Sequence, residues 1–163
     1  MKKSFAYYFM LSLLFISFGM AKSDNTLELK SFSVLIPGGW RAEQTDANSV
    51  TLILNEASNE EVSITISCSP MRSNATLDNA WSRIKSVVID KKAIISEDED
   101  VFFNAKWKKI VVQQWICGKD VRKIIYFSIK DGNKWLIQFD SPKNTQKSNL
   151  EIFNRVKESL KAK

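Results

Sequence analysis

Histidine is absent from all 163 residues, and no other gap in the composition removes as much chemistry. Without imidazole there is no Ser-His-Asp or Cys-His nucleophile, no HExxH zinc site and no histidine-ligated haem. Carboxylate, lysine, tyrosine or cysteine chemistry remains, and no constellation of those residues stands out. Internal repeats and low-complexity linkers are lacking as well. The expectation is a protein that is not an enzyme and carries no cofactor.

A cysteine near the start is also missing. Residues 1–21 read as an export signal: Lys2 and Lys3 form a basic head, Phe5 to Ala21 carries no charge, and Gly19-Met20-Ala21 sets small residues where a signal peptidase cuts. The first cysteine is Cys68, so lipid attachment directly after such a cut is excluded. An uncleaved anchor is the alternative, although the uncharged stretch is short for a bilayer span and is diluted by Ser12, Ser17 and Gly19. Cleavage would leave residues 22–163 as one domain, long enough to bury a core. The net charge of +6 falls to +4 once Lys2 and Lys3 are removed, well short of the dense positive field of a nucleic-acid binder.

Cys68 and Cys117 are the two thiols, and an exported chain meets an oxidising compartment that can join them. The bridge would close a loop of about 50 residues, which on the chain-entropy model contributes roughly 4 kcal/mol. Two buried free thiols are the alternative.

Phe32 to Ile36 reads as a strand halted by Pro37-Gly38-Gly39. Val50, Leu52 and Leu54 share one parity, as do Val62, Ile64, Ile66 and Cys68 against Ser63, Thr65 and Ser67, which predicts two strands with one buried face. The period then changes. Leu77, Ala80, Trp81, Ile84, Val87 and Val88 form a helical stripe behind Thr76 as N-cap, predicting a helix over 77–89. Ala93 to Ile95 is a short strand that runs into Glu97–Asp100, which reads as a solvated acidic turn. Strands over 107–117, 121–130 and 134–140 follow, the last two joined by the hairpin signal Asp131-Gly132-Asn133. These are apolar at both parities, Ile125, Phe127 and Ile129 on one and Ile124 and Tyr126 on the other, as in strands covered on both faces. A second helix over 148–160, capped by Ser148, presents Leu150, Phe153, Val156 and Leu160. The order of three strands, helix, four strands, helix predicts an α+β fold, an αβα sandwich with a mainly antiparallel sheet.

The two ends resemble a known family. Phe32-Ser33-Val34-Leu35-Ile36-Pro37-Gly38-Gly39-Trp40 is similar to the opening strand and turn of the PsbP-like superfamily, which includes the photosystem PsbP subunit, the Mog-type Ran-binding protein and DcrB-related bacterial envelope proteins. Trp135-Leu136-Ile137-Gln138-Phe139 and a last helix bearing Phe153, Val156 and Ser159-Leu160 resemble its close. The resemblance implies an αβα sandwich and, in most relatives, a protein that binds other proteins and catalyses nothing. It carries no functional residue onto a numbered position of this chain.

Candidate sites are few. Ser82-Arg83-Ile84-Lys85 matches the S-x-x-K of penicillin-binding proteins, but Ser23-Asp24-Asn25 precedes it instead of following and no K-T-G exists, so it reads as a chance match on a solvent-facing helix surface. Glu97–Asp100 lacks the ligand spacing and central glycine of a calcium loop. Asn74-Ala75-Thr76 is a glycosylation sequon only in a eukaryotic secretory route. What remains is a candidate partner surface of Trp107, Lys108, Trp115 and Arg122, amid Lys106, Lys109, Lys123, Lys130 and Lys134. Exposed Trp and Arg anchor interfaces, whereas tryptophans at strand spacing also pack inward.

These features predict an exported, periplasmic, non-enzymatic binding protein that works by contact with a protein partner. Nucleic acid is set aside, and a peripheral contact with a membrane stays open. The alternatives are an immunity protein neutralising a periplasm-acting toxin and a carrier of a lipid or small molecule.

Overall fold

A computed structural model of the chain describes residues 23–54, 62–71, 76–88, 93–116 and 118–163. The expected export segment 1–21, Asn74 of the sequon and Cys117 lie outside the described residues. The elements run β1 (Asn25–Glu28), β2 (Phe32–Ile36), β3 (Trp40–Asp46), β4 (Ser49–Leu54), β5 (Val62–Pro70), α1 (Leu77–Val88), β6 (Ile94–Phe102), β7 (Ala105–Ile116), β8 (Lys119–Lys130), β9 (Asn133–Pro142), α2 (Gln146–Glu158) and β10 (Lys161–Ala162). A seven-stranded sheet has the order β3-β4-β5-β9-β8-β7-β6, and a second sheet has the order β1-β2-β10. Every described pairing is antiparallel.

Strand periodicity decides the layering. Successive side chains of β8 leave on opposite faces, and both sets are buried: Ile124 and Tyr126 on one, Ile125 and Phe127 on the other. Ile124 and Tyr126 join Ile64, Ile66, Ile137 and Phe139 under Phe153 and Val156 of α2. On the opposite face Ile110, Val112, Ile125 and Phe127 pack with Trp81 of α1, whose ring stacks on Phe127 at 6.1 Å. The fold is therefore the expected α+β αβα sandwich. The α1 cluster is drawn from β7 and β8, with Leu136 of β9 at its margin. Strands β4 and β5 contribute Thr51, Thr65 and Ser67 to the face α1 shares, and Thr51 and Thr65 join hydroxyls at 3.1 Å.

The helices and turns are set locally. The Thr76 hydroxyl accepts the Asn79 N–H at 3.3 Å, the expected cap of α1. α2 begins two residues earlier than expected, with Thr145 as its cap residue, and Ser148 instead donates to the Thr145 carbonyl at 2.8 Å. Between β8 and β9, Asp131 and Gly132 both take positive φ, 52° and 71°, as a type I′ hairpin requires. The second sheet docks through Phe32, which meets Trp135 at 5.5 Å. Ser159, just past α2, accepts the Leu35 N–H at 2.9 Å.

One expectation is overturned. Glu97–Asp100 is not a turn but the middle of β6, an edge strand of the large sheet. Its residues face Ile110, Lys109, Lys108 and Trp107 in register, so the carboxylates sit beside lysines and also charge an open edge, which discourages strand-on-strand aggregation. Glu97 accepts hydrogen bonds from Lys85 at 2.7 Å and from the Trp81 indole at 2.8 Å, tying α1 to β6. Asp100 accepts Lys157 at 3.1 Å, tying α2 to the same strand. The short polar strands β1, β3 and β10 carry no apolar period and were not foreseen.

These contacts hold three carboxylates below their ordinary range. For Glu97 the cause is first the Lys85 hydrogen bond and then the Trp81 one. For Glu99 it is the hydrogen bonds from Lys106 and Lys108. At Asp100 burial pushes upward, but the Lys157 hydrogen bond and charge outweigh it. A depressed carboxylate stabilises the fold above its unfolded value of about 4 and loses that contribution as pH falls through the folded value. Urea unfolding of Lys85→Met should therefore show a lower midpoint than the parent at neutral pH, by no more than ~1 kcal/mol because the pair is solvent-screened. The difference should vanish in strong acid.

Candidate partner-binding surface

The structure separates the four residues expected to share a surface. Trp107 is 0% exposed. Its ring stacks on Phe102 at 4.4 Å and its indole donates to the Phe102 carbonyl at 3.0 Å. It belongs to the core beneath α2, and its place on a partner surface is corrected. Lys108 leaves β7 on the other face, where it bonds Asp78 at 2.7 Å and Glu99 at 2.5 Å. Those two carboxylates hold its ammonium pKa above the usual value. Lys108 therefore pins the first turn of α1 to β6 and does not act as a free surface anchor.

Trp115 and Arg122 do come together. They stand at the turn end of the β7–β8 hairpin on one face, in registers two residues apart, Trp115 opposite Asp120 and Gln113 opposite Arg122. Trp115 is 74% exposed, and Ile116 beside it is 38% exposed. The other four tryptophans, at 40, 81, 107 and 135, are all buried. Behind the tip the frame is tied down. Gln113 donates to Asp120 at 2.8 Å, Arg122 donates through Nη1 to Gln146 of α2 at 2.7 Å, and the Lys143 N–H bonds the Asp120 carbonyl at 3.0 Å. The Arg122 Nε is shielded and has no partner in this arrangement. Lys143 reaches Asp120 at 3.4 Å, and Lys147 is exposed in the first turn of α2. Lys143 pairs with Asp120, while Arg122 and the exposed Lys147 stand at the start of α2 around Gln146, leaving this end basic.

Ile116, Gln146, Lys143 and Lys147 were not anticipated as part of this surface. The signal for Ile116 was present: two large apolar residues at the end of β7, next to the glycine that ends the hairpin, have little sheet left to cover them. The α2 residues depend on tertiary docking and leave no local trace.

The other candidates disperse. Ser82 donates to the Asp78 carbonyl at 3.0 Å while Lys85 holds Glu97, so the S-x-x-K pair has separate partners. Asp24 of the S-D-N accepts the Gly38 N–H at 2.9 Å and pairs with Arg155. Among the described residues no cluster of His, Cys, Asp or Glu could hold a metal ion. Cys68 is a buried thiol on β5, in register with Trp135 and, through it, Ser128 of β8. Its expected disulfide partner Cys117 lies outside the described residues.

Comparison with solved structures identifies the fold. The cyanobacterial PsbP of Synechocystis superposes with a TM-score of 0.64 at 12% identity, over 87% of this chain and 94% of that one. A Pseudomonas aeruginosa protein of unknown function gives 0.57 at 12% identity, over 84% and 95%. A Bacteroides thetaiotaomicron protein gives 0.58 at 14%, over 81% of this chain and 45% of the other. No family model matches, and no curated protein matches. At such identities the likeness establishes a PsbP-like fold and nothing about activity.

Two outcomes follow from the tryptophan and cysteine environments. Trp107→Ala should cost ~3–5 kcal/mol in urea unfolding, whereas Trp115→Ala should leave the transition within ~0.5 kcal/mol yet abolish most of the iodide-quenchable emission. Burial raises the Cys68 thiol pKa despite an opposing hydrogen bond from Ser31. Since the thiolate is the reactive form, mass spectrometry should find Cys68 unmodified by iodoacetamide in the native protein and modified once unfolded.

Proposed function

We propose that this PsbP-like chain is a non-enzymatic binding protein, exported to the periplasm, that meets a protein partner through the β7–β8 end of its sheet. One observation carries the reading: of five tryptophans, Trp115 alone stands out in solvent, beside Arg122 and on a hairpin fixed from behind. Trp and Arg are the residues most enriched among interface hot spots, and a rigid hairpin loses little conformational freedom on docking. Export is supported by the basic head and uncharged stretch of residues 1–21.

Site-specific photocrosslinking in cells tests this. A benzoylphenylalanine at position 115 should give a discrete protein adduct that disappears with Arg122→Glu. The same probe at Val101, equally exposed on β6, should not give it. No adduct at 115, or the same adducts from both positions, would remove the proposal.

A further inference from the structure

Trp115 and Ile116 are neighbours on one strand, so they leave it on opposite faces. Their register partners, Asp120 and Lys119, do the same on β8. The end of the hairpin is therefore apolar on both sides, with Trp115 on the α2 face and Ile116 on the α1 face. A partner seated on one face of the sheet covers one of these side chains and leaves the other in water. A surface met end-on covers both.

The charge around the tip selects that surface. Lys143 pairs with Asp120 behind the apolar end, and Arg122 and the exposed Lys147 stand beside it around Gln146 of α2; basic residues behind an apolar tip are drawn to anionic lipid. Trp favours the boundary between headgroup and hydrocarbon, where its ring is desolvated and its indole N–H stays wet. The tip also cannot fold back to hide its apolar groups, because Gln113, Asp120 and the Lys143 backbone brace it.

We infer that the β7–β8 end docks on an anionic membrane surface, Trp115 and Ile116 entering the headgroup layer while Arg122, Lys143 and Lys147 meet lipid phosphates. This goes beyond the binding-protein reading and shares with it only the end of the sheet.

The full chain has a second route to lipid through its apolar N-terminal stretch, so the readout must be local to Trp115. The emission of the parent, less that of Trp115→Phe, is followed with vesicles of phosphatidylcholine alone and with added phosphatidylglycerol. The anionic vesicles should shift this emission to the blue and protect it from iodide. Neutral vesicles should do neither. Lys143→Glu with Lys147→Glu should weaken the shift about tenfold or more in lipid concentration, with an unchanged thermal melt. A Trp115 emission unmoved by anionic vesicles overturns the inference, even if the chain co-sediments. An equal shift on neutral lipid, or one indifferent to the charge reversals, overturns it too. A protein adduct at position 115 without any vesicle response would sink this inference and leave the binding-protein proposal standing. A vesicle response without an adduct would do the reverse.

Discussion

Everything in this fold answers to the double burial of β8. A strand with Ile124 and Tyr126 on one face and Ile125 and Phe127 on the other has no face to give to water, so both sides of the sheet must be covered. α2 and the β1-β2-β10 sheet cover one side, and Trp81 of α1 covers the other. The ion pairs then have somewhere to act. Lys108 with Asp78, Lys85 with Glu97 and Lys157 with Asp100 fasten each helix to the β6–β7 margin, where the hydrophobic cover thins. Individually such partly exposed pairs contribute little. Their arrangement fixes which helix lies on which face.

Much of this was legible because burial writes itself into sequence period. β5 alternates more cleanly than β4, whose Ile53 is buried on the polar parity, since the α1 cluster draws on β7 and β8 and leaves Thr65 and Ser67 beyond it. β8 is apolar at both parities from Ile124 to Phe127 since both helices reach it there. β3 and the charged length of β6 beyond Ile95 escaped notice for the complementary reason: an edge strand with one solvated side needs charge more than hydrophobicity, and the run Glu97–Asp100 looks like a loop until Lys108 and Lys109 are placed opposite it.

The candidate surface was half legible. Trp107 and Trp115 lie eight positions apart on β7, share a parity and are both followed by charge or turn signals. What distinguishes them is the length of α2 and where Phe102 stacks, and neither is encoded within the strand. Trp107 falls under cover and Trp115 falls past its end. Arg122 could be grouped with Trp115 from hairpin register alone, whereas its bond to Gln146 required α2 to be docked.

The small sheet gives the chain an order of assembly. β2 is its middle strand, with β1 pairing on one side and β10, the last strand, on the other. Lys163 closes onto the Leu29 carbonyl at 2.6 Å, and Asp24 holds Arg155. The first and last residues of the fold thus complete one structure between them. Pairings between residues so far apart in sequence carry a large loop-closure cost. The small sheet therefore closes late, after α2 has docked and brought β10 beside β2.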